Sequence, residues 1–188
     1  MVSYDWYLVG LGVLAVERLV ELSLSKRNRT WALDAGGLEV GETHYRLMVL
    51  LHSSFLVAAA LEPWLFGRAF VPSVGWSCFG LALVAQALRY WAIFTLGRRW
   101  NTRVIVLPDL EPVTAGPYRW LKHPNYVAVI VELAVVPLIH GAFFTACCFS
   151  FLNGVLLAVR IHVEEEALGA RWRAAFEGRA RFIPGGRW

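Results

Sequence analysis

The residues most able to carry out chemistry lie in two polar segments, GPYRWLKHPNY at 116–126 and RIHVEEEAL at 160–168, with a long apolar stretch between them. Polar groups beside membrane-spanning segments are costly, so they usually mark a functional site. The apolar stretch is long enough for two helices that run out and back. The two segments are therefore expected to meet at one membrane face and to form one pocket.

The second segment contains three consecutive carboxylates, Glu164, Glu165 and Glu166. A run of like charge is most often a solvated surface. Acidic groups next to an anionic inner leaflet are nevertheless unfavourable unless a cation is held beside them. Carboxylates suit both the sulfonium and the ammonium of a cofactor such as S-adenosylmethionine, so the segment favours a site for a cation of this kind.

One face of the predicted last helix carries Asn153, Leu157, Arg160 and Glu164, because spacings of three and four residues fall on the same side of a helix. Each polar residue also has an ordinary structural interpretation. Arg160 and Glu164 can pair across one helical turn, and the Asn153 amide can hydrogen-bond to a neighbouring helix. The combination with the first polar segment favours a shared site instead.

The first segment ends at His123-Pro124, which predicts the start of a helix because proline is tolerated in the first helical turn. The free N–H groups of that turn could hold a carboxylate, such as the methionine end of the same cofactor. Asn125 and Tyr126 would point from this turn, and the Gly-Pro pair at 116–117 predicts a tight loop before it. The structural alternative for His123 is a polar cap at the interface.

Composition predicts an all-α integral membrane bundle of about five helices in one domain, 1–188. The chain is 57% hydrophobic and 17% charged, with a mean hydropathy of +0.51, whereas soluble domains carry about 25% charged residues. A soluble helical protein with an apolar core is the alternative. A span needs roughly 17–25 residues, so the fourth apolar run is short. The predicted spans are 6–24, 45–61, 74–96, 124–139 and 142–159, with a turn at His140-Gly141 before the last.

Basic residues cluster between apolar runs and not along one face, which argues against nucleic-acid binding despite the net charge of +4. Asp5, with no Lys or Arg before the first run, argues against a cleavable signal peptide. The positive-inside rule predicts that the N-terminus lies outside and the C-terminus in the cytosol, with both polar segments cytosolic. The basic clusters are Lys26, Arg27 and Arg29; Arg98, Arg99, Arg103, Arg119 and Lys122; and Arg171, Arg173, Arg179, Arg181 and Arg187.

Four ionisable residues are predicted inside or at the edge of spans: Glu17, Arg18, Glu21 and Arg89. Glu17 and Glu21 lie one helical turn apart, so they are expected either to pair with Arg89 or to contact the substrate. Arg18 is expected to extend toward the interface. His52, inside the second span, is interpreted as a buried polar group with a hydrogen-bond partner. The histidines are scattered, and the three cysteines lie inside apolar runs with two of them adjacent, so no metal site or disulfide is expected.

The order Gly-Pro-Tyr-Arg, His-Pro-x-Tyr and Arg-x-x-x-Glu-Glu-x-x-Leu resembles the isoprenylcysteine carboxyl methyltransferase family of integral membrane enzymes. The resemblance covers about residues 96–188, and the combination in this order is specific. It implies methyl transfer from S-adenosylmethionine, with S-adenosylhomocysteine as product, in a cytosol-facing pocket closed by the C-terminal segment. By similarity, Arg160 would stand near the reacting groups. The cofactor would be held by His123, Tyr126, Glu164 and Glu165, with Asn125 beside them and the Gly116-Pro117-Tyr118 backbone lining the pocket.

The N-terminal half is similar to a bacterial branch of this family, on Glu17 to Glu21, Gly37 to Gly41 and Leu96 to Arg103. Members of that branch O-methylate long-chain alkylpyrones made by type III polyketide synthases. The resemblance therefore implies a lipophilic acidic acceptor, either a prenylcysteine-like carboxylate or, in a bacterium, an alkylpyrone hydroxyl, and a functional link to such a synthase. Near the C-terminus, Phe176-Glu177-Gly178 and Phe182-Ile183-Pro184 look like the family's ending.

An acceptor oxygen that is already ionised needs little general-base help, so catalysis would come mainly from alignment, which can contribute about 7–11 kcal/mol. Arg160 would position the oxyanion with Asn153 assisting, and Arg98 and Arg103 are second candidates. The alternatives are a phospholipid N-methyltransferase, a histidine-cluster oxygenase, and a non-enzymatic membrane scaffold or transporter. Transporters usually show paired repeats and interrupted helices, which this sequence lacks.

Overall fold

A computed structural model describes residues 2–182 of the protein as five helices and one two-stranded sheet, so the all-α prediction is confirmed. Ile183, Pro184 and Arg187, to which the resemblance and the charge pattern extend, lie outside the described residues. The elements are α1 (Val2–Asp34), β1 (Leu38–Val40), α2 (Glu42–Leu65), α3 (Pro72–Leu96), β2 (Val104–Val106), α4 (Pro124–Leu138) and α5 (Phe143–Ala175).

Three of the described helices, α2, α3 and α5, are long and apolar enough to cross a membrane. The other two differ in opposite ways, because α4 is apolar but has only 15 residues and α1 has 33 residues but carries charges along its length. Large apolar side chains of α1 nevertheless point out of the bundle, including Val13 at 64% and Val20 at 62% exposure. Outward apolar faces of this kind fit contact with lipid.

The largest apolar core holds α1, α2 and α4 together. It is built from the aromatic rings of Tyr7 and Phe55 with aliphatic side chains of the three helices around them. The phenol groups of the core find backbone partners, since Tyr7 donates to the carbonyl of Ala59 at 3.1 Å. The other buried members of this core are Leu11, Leu51, Ala59, Val129, Leu133 and Val136.

Charged side chains tie α1, α3 and α4 together inside the bundle. Arg89 pairs with Glu21 at 3.5 Å, as the sequence predicts, but its shorter contact is with Glu132 of α4 at 2.7 Å. Glu17 does not pair with Arg89; it accepts hydrogen bonds from Gln86 and Tyr90 of α3.

The expectation that Arg18 extends to the interface is wrong. Its guanidinium turns inward, 2.8 Å from Glu21 and 3.2 Å from Glu17, because burying these carboxylates requires opposite charge beside them. Glu132, which the sequence reasoning did not count among the ionisable residues inside spans, is the carboxylate that completes the group.

Glu62 caps the first turn of α5. Its carboxylate accepts the N–H groups of Phe144 and Thr145 at 3.0 and 2.7 Å, and Arg68 lies 3.7 Å away. The position of Glu62 before Pro63 and Trp64 is typical of the edge of a membrane interface, yet Glu62 is only 6% exposed. The reason is that the turn at His140-Gly141, which the structure contains, brings the unpaired N–H groups of α5 against the end of α2.

Replacing Glu62 by alanine is expected to lower the free energy of unfolding by about 1–3 kcal/mol, because two buried N–H groups lose their acceptor. Thermal unfolding of the purified protein in detergent measures this change. Asp5→Ala is the matched control, since Asp5 also lies in the first turn of a helix but is exposed. Equal melting temperatures for the two variants would contradict the capping role.

The glycine pair at 36–37 is a turn signal and favours a loop over 30–43, but most of this segment forms regular secondary structure. Helix α1 continues to Asp34, and β1 then pairs antiparallel with β2. Glu39 of β1 accepts hydrogen bonds from Arg29 at 2.6 Å and from Arg103. Burial alone would raise the pKa of Glu39, but the bonds from Arg103 and Arg29 hold this pKa below its usual value. These contacts bring the N-terminal half to the end of the bundle where the polar segments lie.

Helix α5 bends at Gly169, whose φ of 72° lies in the left-handed region that favours glycine. The predicted fifth span stops at 159, whereas the helical residues continue to Ala175 with this break inside them. The bend turns Trp172 back, so that its ring lies 5.7 Å from that of His123. Glycine at this position therefore allows the end of α5 to fold over the polar segments.

Candidate functional site

The structure brings the two polar segments together at the start of α4 and along α5. The hydroxyl of Tyr126 donates to Glu164, and Arg160 Nε donates to the same hydroxyl at 2.8 Å. His123 Nε2 lies 3.0 Å from Glu165 Oε1. The rings of His123 and Tyr126 stack at 5.1 Å, so the two segments form one continuous polar layer.

A first cavity of about 210 Å³ lies on the loop side of this layer. One wall consists of β2 and the loop that follows it to Val113. Another wall is the end of α5 after the bend, which contributes Trp172 and Phe176. Burial raises the pKa of Tyr118 in this wall, which keeps its phenol neutral. The polar segments contribute Tyr118, His123, Asn125, Tyr126, Arg160 and Glu164 to the lining.

A second cavity of about 180 Å³ lies on the other side of the layer, among the helices. Side chains of α1 and α2, such as Leu22, Met48 and Leu56, give it an apolar wall. The two cavities share one partition, because the same side chains line both. The shared residues are Trp100, Asn101, Asn125, Tyr126 and Arg160.

Arg160 is the cation at the centre of the partition. It is 6% exposed, and its Nη2 donates to the carbonyl of Thr102 at 2.7 Å while Nε donates to Tyr126. The guanidinium carbon lies 5.6 Å from the centre of the Tyr126 ring. A buried cation held by one hydroxyl and one carbonyl has donors left over, which suits it to orient an oxyanion.

Glu164 and Glu165, predicted to act together, have different surroundings. Glu164 lines the first cavity, whereas Glu165 does not. The carboxylate oxygens of Glu165 are turned to His123 and Arg181 instead. Arg181 Nη2 lies 2.5 Å from Glu165 Oε2 and Arg181 Nε 3.0 Å from Oε1. The Lys122 N–H donates to the carbonyl of Ala180 at 2.9 Å. The described part of the tail is thus fastened to the polar segment, and Glu165 is the anchor.

Arg181→Gln is expected to loosen the tail, so that the amide protons of Lys122 and His123, which are bonded to the carbonyls of Ala180 and Arg181, exchange about two to five times faster. Hydrogen exchange with mass spectrometry measures this rate. Arg173→Gln is the control, because Arg173 is exposed near the end of α5 and lies eight residues before Arg181. Unchanged exchange in Arg181→Gln would show that the ion pair does not fasten the tail.

The first turn of α4 has fewer free backbone N–H groups than the sequence suggests. The N–H groups of Tyr126 and Val127 both donate to the carbonyl of His123, at 3.0 and 3.2 Å, and Pro124 has none. The expected set of free donors is therefore reduced to the N–H of Asn125 within this turn. The Asn125 side-chain oxygen is buried and has no hydrogen-bond partner in the described part of the chain, and Asn125 lines both cavities.

Gly116 and Pro117 lie behind the wall of the first cavity and do not line it. Gly116 has a φ of 53°, and a side chain there would come within 2.4 Å of the Thr95 hydroxyl, so glycine allows this loop to approach α3 closely. Asn153 is 1% exposed and lines neither cavity. Its side-chain oxygen has no partner within residues 2–182.

Arg98 and Arg103 are the second candidates for orienting the acceptor. Arg103 lines the first cavity, where its guanidinium lies 4.2 Å from the centre of the Tyr45 ring and donates to Glu39. Arg98 lines neither cavity. Sequence reasoning missed the contributions of Trp100, Asn101 and Trp172 to the lining. The aromatic and amide residues in an otherwise basic loop, together with the Gly169 break, are the signals that could have indicated them.

A sequence model of the isoprenylcysteine carboxyl methyltransferase (ICMT) family matches residues 78–170. This range contains all five residues of the partition, whereas the residues of α1 and α2 that line the second cavity lie outside it. The chain belongs to this family. ICMT-family membership and the three span-length apolar helices together support a membrane methyltransferase. Both polar segments lie inside the matched range, and residues of both line the first cavity.

Two relatives extend the similarity of this ICMT-family chain to its N-terminal half. The uncharacterized protein YpbQ of Bacillus subtilis is 40% identical over 166 residues, which is 87% of this chain and 95% of the relative. An uncharacterized protein of Haemophilus influenzae is 29% identical over 159 residues, 83% of this chain and 90% of the relative. Because both matches cover most of each chain, the similarity extends beyond residues 78–170 of the family match.

Proposed function

We propose that the protein is an integral membrane O-methyltransferase that transfers a methyl group from S-adenosylmethionine to a lipophilic acidic acceptor. In a bacterium, a long-chain alkylpyrone hydroxyl is the preferred acceptor over a prenylcysteine carboxylate. The observation that carries the proposal is the pair of cavities divided by Asn125, Tyr126 and Arg160. Two substrates placed on either side of one partition can bring their reacting atoms together across it.

One side of the first cavity fits the positive charge of the methyl donor. S-Adenosylmethionine supplies an electrophilic methyl on a positively charged sulfur, together with an ammonium and a carboxylate. The carboxylate of Glu164 and the aromatic faces of Trp172 and Tyr126 are groups that attract cations. The Asn125 N–H at the start of α4 suits the donor's carboxylate. Glu165 would act indirectly, by holding His123 and the tail.

The second cavity fits a lipophilic acceptor. Its wall includes Leu22 of α1 and Val49 of α2, which are also 38% and 41% exposed on the outside of the bundle. An acceptor dissolved in the membrane could therefore enter between α1 and α2. Its apolar chain would lie among the helices, with the acidic oxygen directed to Arg160.

In the reaction, the acceptor oxygen forms a bond to the methyl carbon as the carbon–sulfur bond breaks, and the bonding pair stays on sulfur. A negative oxygen and a positive sulfonium become a neutral ether or ester and a neutral thioether. Arg160 would orient the oxyanion, and the partition would align it with the donor in the first cavity. Alignment of this kind can contribute about 7–11 kcal/mol to lowering the barrier. The first cavity would face the cytosol, with the N-terminus outside and the C-terminus inside.

A methyl-transfer assay tests the proposal. The purified protein in lipid nanodiscs is given S-adenosylmethionine labelled in the methyl group and, in separate reactions, an alkylpyrone, a prenylcysteine analogue and phosphatidylethanolamine. Label in the alkylpyrone or the prenylcysteine supports O-methylation of a lipophilic acid. Label only in phosphatidylethanolamine would replace the proposal by phospholipid N-methylation.

A further inference from the structure

The second cavity has a polar end that the proposed reaction does not use. Apart from Arg160, its lining includes Arg18 and Glu21 of α1, Arg89 of α3 and His52 of α2. His52 lies about two helical turns along α2 from Tyr45, which lines the cavity near the partition. Most of these side chains have polar partners within the protein, but a purely hydrocarbon tail would offer none to the second ring nitrogen of His52.

The charged groups at this end are already paired with one another. Arg18 lies 2.8 Å from Glu21, and Arg89 lies 2.7 Å from Glu132 and 3.5 Å from Glu21. Glu17 completes the group through Arg18 at 3.2 Å. Two guanidiniums thus face three carboxylates, so the fully ionised group carries one net negative charge. It would repel a second anionic group on the acceptor.

His52 offers a defined hydrogen-bond acceptor at the same end. Its Nδ1 lies 2.8 Å from the carbonyl oxygen of Met48, and a carbonyl can only accept, so Nδ1 carries the proton. The neutral ring then presents the lone pair of Nε2. This nitrogen has no hydrogen-bond partner among residues 2–182, and the residue lines the cavity. An acceptor atom in an apolar wall is stabilised by a donor from whatever fills the cavity.

We propose that His52 accepts a hydrogen bond from a hydroxyl group on the chain of the methyl acceptor, so that the protein binds hydroxylated lipophilic acids more tightly than acids without the hydroxyl. The inference rests on the proposed function in one respect, namely that the acceptor occupies the second cavity. A hydroxyl donates to Nε2 and is neutral, so it is less costly to bury than an ammonium. The net negative charge of the neighbouring ion pairs disfavours a second carboxylate.

Binding of defined fatty acids tests the inference without the methyl donor. Displacement of a fluorescent fatty acid from the purified protein in nanodiscs gives affinities for hexadecanoic acid, for its isomers with one hydroxyl at successive carbons, and for hexadecanedioic acid. At least one hydroxy isomer is expected to bind about five to ten times more tightly than hexadecanoic acid. The diacid is expected to bind more weakly than any hydroxy acid.

His52→Phe keeps a ring and removes the acceptor, so the hydroxyl preference should disappear while affinity for hexadecanoic acid stays within about twofold. Ser54→Ala is the control, because Ser54 bonds to its own helix at the Leu50 carbonyl and does not line the cavity. A preference that persists in His52→Phe overturns the inference. So does a wild-type protein that binds all the monoacids equally, which remains decisive even if the variant fails to fold.

Methyl transfer to the same acids is measured separately, so the two proposals fail in different ways. Preferential binding of a hydroxy acid without transfer of label would overturn methylation of such acids and leave the role of His52 standing. Binding and methylation without a hydroxyl preference would overturn only the role of His52. Absence of binding by any of the acids would overturn the role of His52, and label in an alkylpyrone would still support the methyltransferase.

Discussion

Replacing Arg160 by methionine is expected to lower the rate of methyl transfer by about a hundredfold or more, with a much smaller change in the affinity for S-adenosylmethionine. The guanidinium is buried in the partition between the two cavities, and its bonds to Tyr126 and Thr102 fix its direction. A fixed cation beside a reacting oxygen acts on alignment and charge in the transition state, where loss of one donor costs about this much. Single-turnover rates and equilibrium binding of the donor separate the two effects.

Arg171→Met is the matched control for this experiment. Arg171 also lines the first cavity, but its side chain is 57% exposed. It donates to the carbonyl of Pro108 at 3.2 Å and lies 3.8 Å from the exposed carboxylate of Glu111. It should change turnover by no more than about twofold, because an exposed charge of this kind is screened. Near-normal turnover in Arg160→Met would leave Arg160 with a structural role alone, and a melting temperature for each variant identifies misfolded protein.

Glu164→Gln is expected to weaken binding of S-adenosylmethionine by about tenfold to a hundredfold. The substitution preserves shape and leaves an oxygen to accept the Tyr126 hydroxyl, but it removes the negative charge that faces the first cavity. Hydrogen bonds to charged groups contribute about 1.5–3 kcal/mol each, which corresponds to this loss. Isothermal titration with S-adenosylmethionine gives the affinity directly.

Glu166→Gln provides the comparison, since Glu166 belongs to the same run of carboxylates but its side chain is 72% exposed. Its only ion pair among the described residues is with His162 at 3.8 Å. Removal of a solvated charge should leave the affinity unchanged. Equal losses in both variants would mean that the whole acidic run acts through general electrostatic attraction, and Glu164 would have no specific part.

The sequence predicts the helices well because long apolar runs leave few alternatives in a membrane. The prediction for α4 begins at the same residue, Pro124, as the helix itself, since proline fixes the first turn. The meeting of the His123 and Glu165 segments also follows from two helices that run out and back. These features depend on local composition and connectivity, which a single sequence contains.

Other features depend on contacts between distant residues and could not be predicted. Glu62 and Glu132 look like isolated acidic residues in the sequence, and only packing shows that one caps α5 and the other meets Arg89. Glu165 differs from Glu164 because it bonds to Arg181, which lies sixteen residues further along the chain from Glu165. The pairing of β1 with β2 joins residues more than sixty positions apart, and Arg29 and Arg103 meet there at the carboxylate of Glu39.

The most direct test of the two-cavity account is binding of S-adenosylhomocysteine to two variants that each fill one cavity. Leu168→Trp adds volume in the first cavity, and Met48→Trp adds volume in the second. The account predicts that Leu168→Trp loses S-adenosylhomocysteine binding in isothermal titration, whereas Met48→Trp binds it normally but no longer methylates a lipophilic acid. Normal binding by Leu168→Trp together with lost binding by Met48→Trp would contradict the assignment of the cavities.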